Sequence, residues 1–237
     1  MARLKIGFIP IEGGSYYKEA LEEVTRAEEL GFDSVWMEEH HSVTNHYWPS
    51  PLTVLAGFAT RTSRMMLGTD IIVAAFHHPV RLAEDVAMLD VMSGGRATLG
   101  IAIGYKPDEF ALYGVDLEKR GARFEEQLAI IKGLWTQERV SFKGAYYTVE
   151  GRLEPKPVTR PHPTEAGMSV TNMRTVFVKK ERDVPKTLTG IRKGAEALNQ
   201  QPPTIFVLVD IKRLTARMRA AHQEWERQQA RDTKADG

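Results

Sequence analysis

Over its first 135 residues the chain keeps switching hydrophobic period: a short apolar run, then apolar residues at three- and four-residue steps, then another run. The runs suit buried strands and the stepped stretches suit amphipathic helices. Residues 4–9 (closed by Pro10), 33–37, 65–73 and 97–103 are the predicted strands. Between them lies a stripe of Tyr17, Ala20, Leu21, Val24, Ala27 and Leu30, with Ser15 as candidate N-cap and Gly31 as stop. A second stripe, Leu52, Val54, Leu55, Phe58 and Ala59, follows Ser50 and Pro51; a third, Val80, Ala83, Val86, Ala87 and Leu89, follows Pro79. A further helical pattern covers residues 123–135 through Phe124, Leu128, Ile131 and Leu134. Strand and helix alternating four times with short links predicts a parallel sheet with right-handed crossovers. No GxGxxG follows the first strand, so a TIM-type barrel is favoured over an open dinucleotide-binding sheet.

In such a barrel the C-terminal ends of the strands share one face. That face would gather Glu39, His40 and His41 after the second strand, residues 70–76 at the third and residues 104–106 after the fourth. The stretch VWMEEHHSVTNH, residues 35–46, is the richest of these: an apolar strand end runs into Glu38, Glu39, His40 and His41, with Asn45 and His46 beyond. It reads either as the floor of an active site or as a charged surface loop. His77, His78 and Pro79 read as the entry to a helix, because adjacent histidines lack the helical spacing that turns two metal ligands the same way. Ser93-Gly94-Gly95-Arg96 precedes a strand, whereas a phosphate loop precedes a helix, so it reads as a helix stop and turn.

Composition narrows the partners. A net charge of +1 favours neither nucleic acid nor an anionic membrane. The absence of cysteine excludes disulfides, thiolate metal sites and cysteine nucleophiles, and fits a reducing cytoplasm. The start, MARLKIGFIP, has no long apolar segment with a cleavage site, and no window reaches the roughly 18 apolar residues of a membrane span. A cytoplasmic protein is expected.

Several blocks carry a family resemblance: EHH after the second strand, LGT at the third, HPVRLAEDVAMLD in the third helix, SGGR before the fourth strand and EFALYG after it. With EPKPVTRP at residues 154–161, their order and spacing resemble the bacterial luciferase-like family of flavin-dependent monooxygenases and oxidoreductases. The resemblance implies a TIM barrel binding reduced FMN, or a deazaflavin in sister families, at the strand C-termini. Within it, His40 lies near the reactive edge of the flavin and assists proton transfer. His41 is a second catalytic candidate, or a packed histidine bonded to a backbone group. Glu39, Thr69, Asp70, Ile71, Gly104 and Tyr105 are the candidate flavin-binding residues. The family passes its backbone beneath the ring after Gly68 and Thr69, often through a non-proline cis peptide, for which Asp70, Ile71 and Ile72 are the candidates. Where the family carries an arginine for the flavin phosphate this chain has Ile103, and Arg120 and Arg123 are nearby substitutes, or solvated helix-end charges.

After Pro163 the resemblance lapses. The family's Pro-Ile-Trp-Gly-Gly strand segment, which completes its phosphate site, is replaced by TEAGMSVTNM. Strands at 175–178 and 204–209, a helix at 185–198 and a charged, Gln-rich helix from 212 are expected. The organisation is therefore read as one barrel domain over 1–237, matching the family to 163, with divergent βα units over 164–211 and a helix and tail over 212–237. The fold class is an α/β TIM-type (β/α)8 barrel, incomplete or modified in its C-terminal part. About seven strand candidates are fewer than the eight that close such a barrel, which leaves edges to cover. The hairpin VSFKGAYYTV, residues 140–149, or the last helix is expected to cover them, within the chain or across a homodimer.

The functional expectation is a monooxygenase using reduced FMN and dioxygen on a small organic substrate, supplied by a separate flavin reductase. The alternatives are a deazaflavin-dependent hydride-transfer enzyme and a degenerate, non-catalytic flavin-binding or interaction protein. No metal is expected.

Overall fold

In the computed structural model the residues described are 6–10, 16–43, 47–166, 186, 189 and 205–206. The expected alternation is present. Strands β1 (Ile6–Phe8), β2 (Ser34–Met37), β3 (Met66–Thr69), β4 (Ile72–Val73) and β5 (Ala97–Ala102) alternate with helices α1 (Tyr17–Leu30), α2 (Pro51–Ala59) and α3 (Pro79–Ser93). Helix α4 (Pro107–Tyr113) and helix α5 (Arg120–Thr136) follow, then the hairpin β6 (Val140–Lys143) and β7 (Thr148–Gly151), and the short strands β8 (Thr164–Ala166) and β9 (Ile205–Phe206). All pairings in the main sheet are parallel: β9, β1, β2, β3 and β5 lie side by side, and β8 adds to the far side of β5. Among the described residues no strand joins β8 to β9, so the ring is open there.

Alternation along each strand divides the core. Ile6, Phe8, Val35, Met37, Leu67 and Ala97 point to α1 and α2, where they pack with Ala20, Val24, Leu55 and Phe58. Of the alternate positions Gly7, Ser34 and Gly68 are small, and Trp36 lies between Gly7 and Gly68 and donates from its indole Nε1 to Ser34 Oγ at 2.8 Å. A Cβ at Gly68 would stand 2.4 Å from that ring, and one at Gly7 2.8 Å away, so the two glycines make the space the indole fills. A second cluster holds Leu82, Val86, Ile130, Leu134 and Trp135 from α3 and α5 with Leu99 and Ile101 of β5.

The structure differs from the sequence reading at several points. Residues 65–73 are not one strand. Gly68 pairs with Thr98 and Ile72 with Ile101, so four steps on one side oppose three on the other, and a one-residue bulge separates β3 from β4. Tyr16, not Ser15, is the N-cap of α1, and Ser15 lies outside the described residues. Ser50 does occupy the N-cap of α2, but its hydroxyl makes no capping bond. The hairpin forms as expected, but as a separate two-stranded sheet whose Val140, Tyr147 and Val149 pack into the α3 and α5 cluster; it does not pair with the main sheet. Residues 175–178 and the helix from 212 lie outside the described residues, as does most of 185–198, of which Lys186 and Thr189 are helical. Of 204–209, Ile205 and Phe206 are strand, beside β1. Among the described residues no helix is long and apolar enough to cross a membrane.

Candidate functional site

The bulge shapes the site. At Thr69 the side chain does what the interrupted ladder cannot: its hydroxyl donates to Gly100 O at 2.7 Å and accepts from Gly100 N at 2.9 Å. Beyond it the Asp70–Ile71 peptide is cis, at the position the resemblance indicates. Asp70 N–H still donates to Met37 O at 2.7 Å, which holds the turn against the end of β2. The chain leaves β5 through Gly104, whose φ of 78° is the left-handed region that a side chain disfavours. Here a Cβ would also meet Val73 and Phe110.

These strand ends enclose a cavity of about 850 Å³. Glu39, His40, Asp70, Ile71, Gly104, Tyr105 and Arg120, all singled out from the sequence, line it, as does Ile103. Two candidates do not. Thr69 is fully buried with its hydroxyl spent on Gly100. His41 lies behind the wall with a side chain 5% exposed; its Nε2 is 3.3 Å from Glu39 Oε1, and Tyr113 Oη is 3.0 Å from its Nδ1. Burial, aided by Glu39 and Glu109, pushes the Tyr113 phenol up. It therefore stays protonated and donates to Nδ1, which leaves the Nε2 proton for Glu39.

Glu39 is the most enclosed ionisable group here, its side chain wholly buried. Burial alone would drive its proton on, but His41, His77 and the Val73 N–H outweigh that and hold the carboxyl below the usual range. The His77 contact is 2.7 Å. Glu39 thus ties the end of β2 to β4 and to the turn before α3, and His77 takes the helix-entry place expected of it. His78 caps α3, its Nδ1 accepting from Val80 N at 3.3 Å. Asp70 is the opposite case. Burial, with the nearby Glu38 charge adding to it, raises its carboxyl to about 6.

Three further residues complete the site: Glu38 and Lys106, which the sequence already put on this face, and Glu109, which it did not single out. Glu38 lies 3.3 Å from His40 Nε2, Lys106 Nζ lies 3.3 Å from His40 Nδ1, and Glu109 accepts from His41 N at 3.2 Å. Glu109 stands in the first turn of α4, inside EFALYG, one helical turn from Lys106; that spacing was the available signal. Arg120 donates from Nη1 to Leu117 O at 2.6 Å, while its Nε is buried with no hydrogen-bond partner among the described residues. Arg123, the other substitute for a phosphate clamp, likewise has a buried Nε with no hydrogen-bond partner among the described residues, but it does not line the cavity and its Nη2 donates to the Tyr147 hydroxyl at 2.9 Å. Among the described residues no group of acidic or histidine side chains could hold a metal.

The family model described as luciferase-like monooxygenase matches residues 7–177. The chain belongs to that family. The match covers every residue that lines this cavity. Among curated luciferase-like relatives, the oxygenase component of a flavin-dependent trigonelline monooxygenase from Acinetobacter baylyi is 32% identical over 149 residues, which are 62% of this chain and 41% of that protein. An F420-dependent glucose-6-phosphate dehydrogenase from Amycolatopsis mediterranei is 32% identical over 162 residues, 65% of this chain and 49% of that protein. The chain thus spans less than half the length of either. The crystal structure of monooxygenase RslO1 from Streptomyces bottropensis superposes with a TM-score of 0.68 at 28% identity, over 98% of this chain and 80% of that one. The TIM-type barrel read from the sequence is therefore the fold of this luciferase-like chain, open among its described residues.

Proposed function

We propose that this luciferase-like protein is the oxygenase component of a flavin-dependent monooxygenase, receiving reduced FMN from a separate reductase and using dioxygen on a small organic substrate. The observation that carries the reading is the cavity at the strand C-termini, where His40 stands by the Asp70–Ile71 bulge and Arg120 keeps an Nε with no hydrogen-bond partner among the described residues. The residues fit the cofactor. Asp70, Ile71, Gly104 and Tyr105 would line the ring system, and Arg120 would offer the phosphate the charge-assisted bonds that Ile103 lacks. Bound flavin would supply the electrons and the activation of dioxygen. The chain's own residues do the rest: Ile71, Val73, Ile101 and Phe124 exclude water, and His40 holds or passes a proton, as an imidazole can near neutrality. Glu39 and His41 act behind it, by position.

A deazaflavin is the second reading, favoured by the relatives named as F420-dependent glucose-6-phosphate dehydrogenases. Titration with oxidised FMN, reduced FMN and F420, followed by absorbance and by heat, separates the two. Preferential binding of reduced FMN supports the oxygenase; binding of F420 alone transfers the site to hydride transfer; binding of none removes both and leaves a non-catalytic protein. In whichever holoenzyme forms, His40→Ala is expected to lower kcat by about 100-fold or more while leaving cofactor affinity unchanged. Equal losses in both would deprive His40 of a chemical role.

A further inference from the structure

Both ring nitrogens of His40 have neighbours, and the neighbours are of opposite kinds. Glu38 Oε2 lies 3.3 Å from Nε2 and Lys106 Nζ lies 3.3 Å from Nδ1. An ammonium group has three donors and no acceptor, so it can meet Nδ1 only where that nitrogen is unprotonated. A carboxylate accepts, so the ring proton belongs on Nε2. Lys106 is itself held: its Nζ is 3.6 Å from Glu109 Oε1, which lies 4.0 Å from His40 Nδ1, and Glu109 is fixed in turn by the His41 N–H. The Tyr47 ring meets the imidazole edge-on at a centroid distance of 4.6 Å. Lys106 comes from the loop after β5 and His40 from the end of β2, so the contact joins two strand ends across the cavity.

We infer that Lys106 is a positioning residue that locks His40 as the neutral Nε2–H tautomer, with its proton directed at Glu38 and its open lone pair guarded by the ammonium group. A proton can enter the ring only at Nδ1, so uptake requires Lys106 Nζ to withdraw, and an anionic group arriving in the cavity would draw it away. The inference deepens the proposed role of His40, yet it concerns the protein without flavin and is tested there. Ring-nitrogen NMR of the 15N-labelled full chain, with His40→Ala to assign the signals, should show an imine-type Nδ1 and a pyrrole-type Nε2. Lys106→Met should shift the Nδ1 resonance and admit the other tautomer, and Lys106→Arg should restore the first pattern. Lys106 is a third exposed, so these variants should fold; Lys106→Gln serves as a second neutral replacement. A wild-type ring protonated on Nδ1, or resonances that do not move in either neutral variant, would overturn the lock. Because the readout needs no cofactor, failed flavin binding with an intact tautomer pattern would count against the oxygenase reading alone.

Discussion

The two ends of this sheet are finished differently. At the N-terminal end two charged groups, Glu28 and Arg96, are matched to backbone. Glu28 accepts from the N–H groups of Ser63, Arg64 and Met65, while Arg96 donates to the carbonyls of Ala59, Thr62, Met65 and Ser93 and to Thr62 Oγ1. At the C-terminal end Asp70 faces a cavity with a raised carboxyl, Arg120 has a nitrogen with no hydrogen-bond partner among the described residues, and His40 is pinned between opposite charges. The first end uses its charges to close loops. The second holds them in tension around an open space, as a binding site must if its groups are to answer a ligand.

The contrast is broken most severely at Arg96. Arg96→Ala would leave several carbonyls without their donor in a half-buried loop and should lower unfolding free energy by about 3 kcal/mol. Urea denaturation measures it; a loss no larger than that of an exposed arginine would mean that water replaces the guanidinium freely. Gly68→Ala comes next. Its methyl would press on the Trp36 ring, and overpacking of this kind should cost about 2 kcal/mol. If Trp36→Phe in the same chain does not recover part of that loss, the indole is not what demands glycine there.

The regular frame was legible because period survives locally: β1, β2 and β5 sit where the apolar runs put them, the four helices α1, α2, α3 and α5 sit where the stepped apolar residues put them, and Pro51 and Pro79 mark helix starts, whereas β8 had no such signal. SGGR was legible too, since Ser93 and Arg96 bond each other across the turn and the guanidinium serves backbone, not phosphate. Helix α4 was not, for seven residues with few buried apolar positions are too short for a period to show. The bulge at residues 70–71 was indicated by the family resemblance and not by period, because it lies in an apolar run and exists only as a register difference against β5. The role of Trp36 depends on glycines of two other strands. The pairing of His40 with Lys106 spans 66 residues, and no local pattern carries it.

The smallest effect is the most diagnostic, because it has the opposite sign. Asp70 has a folded carboxyl raised to about 6 from 3.8, so folding favours its protonated form. Below pH 3.8 the carboxyl is neutral in folded and unfolded chains alike and carries no penalty. As pH rises from 3.8 through 6 the unfolded chain ionises first, and a destabilisation accumulates that is complete above 6. Asp70→Asn removes it. Partial exposure to solvent moderates the gain, so the variant should be more stable than the parent by about 1 kcal/mol at pH 8 and no more stable below pH 3.8. Urea midpoints across that range test the sign directly. A variant that gains nothing at pH 8 would mean that the carboxylate already has a partner, and the cavity end would then be as fully matched as the end closed by Glu28 and Arg96. A gain that fades as the cofactor is added would place the Asp70 carboxylate in the binding site, where bound ligand and protein share its charge.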